Sequence, residues 1–175
     1  MNTAPLKLDL ACGVAKKPGF FGVDISADSH ADLVCDLRTG PWPWADASVA
    51  EINSAHFFEH LTAEQRVLFM DECWRILVPG GKLVVTVPHA RSDGAVQDPT
   101  HEWPPLVEQS FFYFDREART KLNIQHYGIK ADFQVQIGIA FLPEWAQRPQ
   151  AERMFALRHF HNVASEITAF LTKRG

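Results

Sequence analysis

Short apolar runs closed by turn residues alternate with a helix-period segment through the first half of the chain. Leu6–Leu10, Phe20–Ile25, Leu33–Leu37, Val49–Ala55 and Lys82–Pro88 read as strands. The run Leu83-Val84-Val85-Thr86-Val87 is apolar on both faces, as a parallel strand covered by two layers must be. Ala63–Leu77 predicts a helix. Thr62 suits its N-cap, Gln65 completes a capping box, and Val67, Met70, Trp74 and Leu77 recur on one face. Pro79-Gly80-Gly81 ends that helix and turns the chain into the next strand. A strand, a crossover helix and a further strand make a right-handed parallel unit. The pattern therefore predicts an α/β fold.

One connection breaks the pattern. Only the eight residues Val14–Phe21 separate the first two strands, whereas a crossover helix needs at least about ten to twelve. The helix is cut to a turn there, or the connection is extended. After Pro88, residues 89–105 are loop-like and 106–127 carry aromatic-rich helical pieces, with Asp115 as a cap and Gly128 as a stop. Ala131–Leu142 alternates as a strand does, Pro149–Phe160 looks helical, and Ala164–Thr172 is strand-like again. Two late strands around a helical connection would complete the sheet. No internal repeat or linker interrupts the sequence, so a single domain over 1–175 is expected.

At 175 residues the chain is long enough to bury a full core without disulfides or a metal. A net charge of −4 gives no global basic field, which lowers the nucleic-acid reading without removing a local patch. Cys12, Cys35 and Cys73 are scattered and lack metal-ligand spacing, which suits a reducing compartment. Met1–Pro5 is too short and polar for a signal peptide, and no apolar run approaches the roughly 18 residues of a membrane span. A cytoplasmic location is the expectation; oligomeric state is not readable.

The chemistry concentrates at two strand ends. Leu8-Asp9-Leu10-Ala11-Cys12-Gly13 reads as a buried strand closing in an acid and a small-residue turn, and Gly22-Val23-Asp24-Ile25 as a second strand with an acid at its tip. An acid at the tip of the second strand of an open α/β sheet is placed to accept two ribose hydroxyls. A pyrophosphate would need more glycine and a helix N-terminus aimed at it. The glycine-poor turn thus favours an adenosine cofactor without phosphates over a nicotinamide dinucleotide.

Asp9-Leu10-Ala11-Cys12-Gly13, Val23-Asp24-Ile25, Asp36-Leu37, Pro41-Trp42-Pro43-Trp44, His56-Phe57-Phe58-Glu59-His60-Leu61 and Leu77-Val78-Pro79-Gly80-Gly81 occur in that order. Together they resemble the class I S-adenosylmethionine-dependent methyltransferases, in particular a small bacterial and phage group whose first-strand motif reads Leu-Asn-Leu-Gly-Cys-Gly. The resemblance implies a Rossmann-like, seven-stranded, mostly parallel sheet of order 3-2-1-4-5-7-6, with strand seven antiparallel and a shortened first crossover. It implies S-adenosylmethionine as cofactor. The turn Ala11, Cys12 and Gly13 would then lie against the methionine portion, and Asp9 would reach its ammonium. Asp24 with Ile25 would hold the ribose and Asp36 with Leu37 the adenine, while Ala55 and His56 would border the cofactor at the end of strand four. Ala11 stands where glycine is usual, and Ala50 replaces an aspartate common before strand four.

The acceptor should enter beyond strand five, where His89, Asp98, His101 and Glu102 fall. Methyl transfer from a sulfonium is an in-line displacement that needs alignment and exclusion of water more than acid catalysis. Should the acceptor need to lose a proton, His101 or His89, with Asp98 nearby, suits that task by intrinsic pKa. These histidines equally suit packing on Trp103 and Pro104, and Glu59 with His60 equally suits a structural cluster. Without a thiolate pair, or a histidine pair at four-residue spacing on a helix, no metal is expected. The sequence thus predicts methyl transfer to a hydroxyl or amine of a small molecule, sugar or modified base. The alternative is a catalytically silent sensor or partner subunit that binds the cofactor.

Overall fold

The computed structural model describes residues 6–175; the reading of Met1–Pro5 lies outside them. In chain order the elements are β1 (Leu6–Leu10), β2 (Phe21–Asp24), β3 (Leu33–Val34), β4 (Val49–Ala55), α1 (Ala63–Ile76) and β5 (Leu77–Pro88). There follow α2 (Asp93–Val96), α3 (Glu108–Phe112), α4 (Arg116–Leu122), β6 (Phe133–Phe141), α5 (Pro143–Ala146), α6 (Gln150–His159) and β7 (Ala164–Lys173). All seven strands join one sheet in the order β3-β2-β1-β4-β5-β7-β6. β7 runs antiparallel to both its neighbours, and the remaining pairings are parallel. This is the expected architecture, with β2 and β3 shorter than the apolar runs suggest.

The short first connection contains no helix; it is a chain of turns pinned by side chains. Asp9, 4% exposed, accepts from the Lys17 N–H at 2.7 Å and from Asn53 Nδ2 at 2.7 Å. The Lys17 ammonium donates to Asn53 Oδ1 at 3.0 Å, and Asp32 accepts from Lys16 Nζ and from the Gly22 N–H. These bonds, those to the buried Asp9 worth about 1.5–3 kcal/mol each, do the positioning that a crossover helix would otherwise do by packing.

Helix α1 starts as its sequence says: the Thr62 hydroxyl accepts from the Gln65 N–H, and the Gln65 side chain accepts from the Thr62 N–H. Its buried face differs from the one expected. Arg66, Phe69, Met70, Cys73 and Ile76 face inward, while Val67 and Trp74 are only partly buried. The stripe is displaced because Arg66 is accommodated inside. Its guanidinium donates to the carbonyls of Phe58, Glu59, Glu102 and Pro104, which removes the cost of burying it. Trp74 moves to the rim, under the Lys173 ammonium.

Strand β5 follows α1 without a loop, and Pro79-Gly80-Gly81 forms an outward bulge within it. Val49 pairs with Leu77 and then Glu51 with Lys82. A Cβ on Gly81 would stand 2.8 Å from the Val78 carbonyl oxygen and 3.2 Å from that of Ala50, so only glycine lets the bulge close onto β4.

The core lies on both faces of the sheet centre. Leu8, Leu10, Ile52, Leu83, Val85 and Ile167 are fully buried, against Phe69, Met70, Phe58 and Phe111, each contributing about 1.5–3 kcal/mol by leaving water. Asp115 caps α4 through the N–H groups of Glu117 and Ala118. Asn123, at φ 57°, ends that helix, and Gly128 ends the single turn after it.

Candidate functional site

The carboxyl ends of β1, β2, β3 and β4 surround a crevice of about 360 Å³. Asp24, Ile25, Asp36, Leu37, Ala11 and His56 line it, together with Arg38, Phe57 and His60. Asp24 is oriented by backbone: Oδ2 accepts from the Gly13 N–H and Oδ1 from the Ser26 N–H, both at 2.8 Å. Each oxygen keeps a second lone pair. The carboxylate is thus aimed and half-satisfied, able to accept two more donors without turning. Asp36 is held by Arg38 through paired contacts of 2.9 Å, and those bonds keep its carboxyl below the ordinary range. Leu37 is buried, and its N–H has no hydrogen-bond acceptor among the described residues.

Two residues at the mouth are strained. Ala11 has φ 55° and His56 φ 54°, in the left-handed region that non-glycine residues avoid. The turn needs that geometry at Ala11 because the chain reverses there to bring the Gly13 N–H under Asp24. Only a small side chain fits without blocking the crevice. No helix stands between β1 and β2, so this turn offers no helix N-terminus to a pyrophosphate.

A second cavity, of about 690 Å³, opens beyond β4 and β5. His56, Glu59, His60, Asp98 and His101 face it, as do Asn162 and Glu166 at the start of β7. His56 and His60 border both spaces. His56 Nε2 lies 3.1 Å from Glu166 Oε1, and its Nδ1 lies 3.4 Å from Glu59 Oε1. Glu59 is 5% exposed, and neither of its carboxylate oxygens makes a hydrogen bond. His101 Nδ1 faces the Ala95 carbonyl at 3.1 Å, and its Nε2 lies 3.8 Å from Asp98 Oδ2. Asp98 is held below the ordinary carboxyl range by the Thr100 hydroxyl and N–H.

Residues 8–85 match a family model described as a methyltransferase domain. The whole chain superposes on solved methyltransferases. A SAM-dependent methyltransferase from Archaeoglobus fulgidus gives a TM-score of 0.65 at 18% identity, over 95% of this chain and 85% of that one. A Haloferax volcanii complex between the Trm112 methyltransferase activator and a putative methyltransferase gives 0.57 at 20% identity, over 98% and 82%. Phosphoethanolamine N-methyltransferase 2 of Haemonchus contortus, solved with phosphomonomethylethanolamine and S-adenosylhomocysteine, gives 0.54 at 16%, over all of this chain and 50% of that one. No curated protein sequence matches the chain. The fold is the class I methyltransferase fold.

A methyltransferase domain of this fold takes S-adenosylmethionine as its cofactor, and the crevice suits it: two acids, a free backbone N–H, a small-residue turn and no phosphate cradle. Several expected site residues do not face this crevice. Asp9, 4% exposed, is not part of the crevice lining, and its oxygens accept from the Lys17 N–H and Asn53 Nδ2. It is therefore a fastening for the first crossover, where an ammonium contact was expected. Cys12 is buried, its N–H donates to the Val23 carbonyl, and burial raises its thiol above the usual range. Gly13 acts through Asp24. Ala55 stands exposed at the end of β4, one residue before His56.

On the acceptor side, His101 and Asp98 come together but His89 does not join them. His89 is 2% exposed, with Nδ1 accepting from the Arg91 N–H and Nε2 3.7 Å from Glu108, beside a separate cavity of about 240 Å³. It follows β5 and lines this separate cavity instead of the larger one, so the expectation that it meets the acceptor is corrected. Sequence reasoning missed Arg38, Asn53, Phe57 and Arg66. Arg38, two residues from Asp36, and Phe57, beside His56, left a local signal; Asn53 and Arg66 act across longer sequence separations.

Proposed function

We propose that this chain transfers the methyl group of S-adenosylmethionine to a small-molecule, sugar or modified-base acceptor carrying a hydroxyl or amine. The cofactor's ribose rests on Asp24 and Ile25, and its adenine on Asp36 and the Leu37 N–H. The observation that carries this reading is that the two acids share one crevice, which meets the larger cavity at His56 and His60. A sulfonium at that meeting point is presented to whatever occupies the neighbouring cavity, and displacement then requires alignment more than acid or base strength. His101 and Asp98 act on the acceptor: they orient it and ease the loss of its proton. We also place the chain with the small bacterial and phage group, on its Asp9–Gly13 turn and its Glu59-His60-Leu61 run, and in the cytoplasm.

Calorimetry with S-adenosylhomocysteine tests the cofactor half. Asp24→Ala removes a charged acceptor of two hydroxyl donors, and affinity should fall at least about tenfold. Unchanged affinity would remove the ribose assignment. Release of label from methyl-labelled cofactor with small-molecule and nucleoside fractions tests the acceptor half. Cofactor binding without turnover on any fraction would support the silent sensor or partner subunit instead.

A further inference from the structure

We propose that Glu59, His60 and His101 form a divalent-cation site in the wall of the larger cavity. One carboxylate oxygen and one ring nitrogen from each histidine lie within 4.8 Å of one another. The rings of His60 and His101 meet edge to face, with centroids 4.7 Å apart. A tetrahedral set at about 2.1 Å from an ion spaces its ligand atoms roughly 3.4 Å apart. Binding an ion therefore requires these atoms to draw together by up to about 1.4 Å.

Two independent features point to a ligand. The first is Glu59: a carboxylate 5% exposed, lining the cavity, with no hydrogen bond to either oxygen. Of the cations nearby, His56 approaches only to 3.4 Å and is better placed on Glu166 at 3.1 Å, and the Arg66 guanidinium is engaged by main-chain carbonyls, that of Glu59 included. A buried charge left in that state is costly, and a cation shared with two imidazoles removes the cost. The second is how the histidines are anchored. His101 Nδ1 faces the Ala95 carbonyl at 3.1 Å. His60 Nδ1 faces the Thr100 carbonyl at 3.3 Å and the Thr100 hydroxyl at 3.1 Å. A carbonyl accepts only an N–H, so each ring carries its proton on Nδ1 and presents the Nε2 lone pair. That is how a ligating histidine is held when its second nitrogen bonds a backbone carbonyl. Asp98, 3.8 Å from His101 Nε2, stands ready as a further oxygen donor.

Two nitrogens and a carboxylate, without thiolate, select borderline divalent ions such as Zn²⁺, Co²⁺ or Mn²⁺ over Mg²⁺ or Ca²⁺. An ion held there faces the cavity with its remaining positions open to water or an acceptor oxygen. With His101 bound to it, the ion would take over the proton loss assigned above to that histidine, by polarising a coordinated water or acceptor oxygen; this use rests on the function proposed above, its binding does not.

The test titrates the full-length protein with Co²⁺, following its visible absorption, and repeats the titration with Zn²⁺, Mn²⁺ and Mg²⁺ by calorimetry. One Co²⁺ per chain is expected, displaced by Zn²⁺ and poorly by Mg²⁺. Glu59→Gln and His101→Gln should each weaken it at least about tenfold, while His126→Gln, on a surface turn, leaves it unchanged. Each variant is also titrated with S-adenosylhomocysteine and melted, so that a misfolded protein is recognised; His60→Gln then serves as the third probe. Three results would overturn the site: no Co²⁺ bound with S-adenosylhomocysteine affinity intact, binding that survives loss of both Glu59 and His101, or Mg²⁺ held as tightly as Zn²⁺. Metal bound without any S-adenosylhomocysteine would keep the site and remove the methyltransferase reading.

Discussion

The two cavities are built in opposite ways. The smaller one is made by neighbours in sequence: each acid ends a strand, and its orientation comes from backbone N–H groups within a few residues or one strand away, as with Asp24, Gly13 and Ser26. The larger one is assembled from remote segments around His56–His60, Ser92–His101, Leu142–Glu144 and Asn162–Glu166. These are held by side chains reaching across the fold. The first design is local and reusable, so a cofactor site can be recognised from short motifs. The second depends on packing partners that no short motif contains.

Removing Arg66 should break this contrast most severely. Arg66→Met strips the donors from four carbonyls on the two loops that wall the larger cavity. The Phe58 and Glu59 carbonyls keep the N–H groups of Leu61 and Glu102, but those of Glu102 and Pro104 lose their donor, and the substitution should cost about 3 kcal/mol in urea unfolding. The variant that remains folded should keep S-adenosylhomocysteine affinity better than it keeps turnover. Equal loss of both would mean that the two cavities are not separable.

Asp9→Asn should come next. It weakens the bonds to the Lys17 N–H and to Asn53, and should cost about 1.5–3 kcal/mol of stability with a smaller change in S-adenosylhomocysteine affinity. The reverse result, intact stability with lost affinity, would restore the ammonium contact expected from the sequence.

A pH series sharpens the view from beneath the cofactor half. Arg75 donates two 2.7–2.8 Å bonds to Glu72, which also accepts from the Trp42 N–H, and these bonds hold the Glu72 carboxyl below its ordinary range. A carboxyl depressed in the folded state adds stability above its unfolded pKa and loses it as pH falls through the folded value. The stability gap between wild type and Glu72→Gln should therefore be widest near neutrality and close below about pH 4. A gap that does not vary with pH would assign the effect to packing.

Ala11→Gly should change least. Relief of the positive φ, about 1–2 kcal/mol, is largely offset by the added freedom of glycine in the unfolded chain, about 0.4–1 kcal/mol. A net gain under about 1 kcal/mol in melting experiments is expected, with cofactor affinity kept. A large gain would mean that the strain at Ala11 exceeds that of an ordinary left-handed residue.

The same contrast explains what the sequence made legible. The α/β class follows from apolar runs and one capping box, and the strand order from the resemblance that a set of ordered motifs carries, all short-range signals. The turns that replace the first crossover helix were foreseeable from its length, but their fastening by Asp9, Lys17 and Asn53 was not, because Asn53 lies on a strand three elements later. The inward face of α1 was misread because an arginine reads as surface until its four carbonyl partners are known. Glu59, His60 and His101 escaped for a related reason: the histidines are neighbours only through the fold, and spacing rules see just one element at a time.

The Arg66 clamp has one more consequence. With its grip on the main chain of both walls, the larger cavity has a fixed outline, and its preference can be retuned only by exchanging the side chains that decorate it. Selectivity here evolves by changing the furniture and leaving the room.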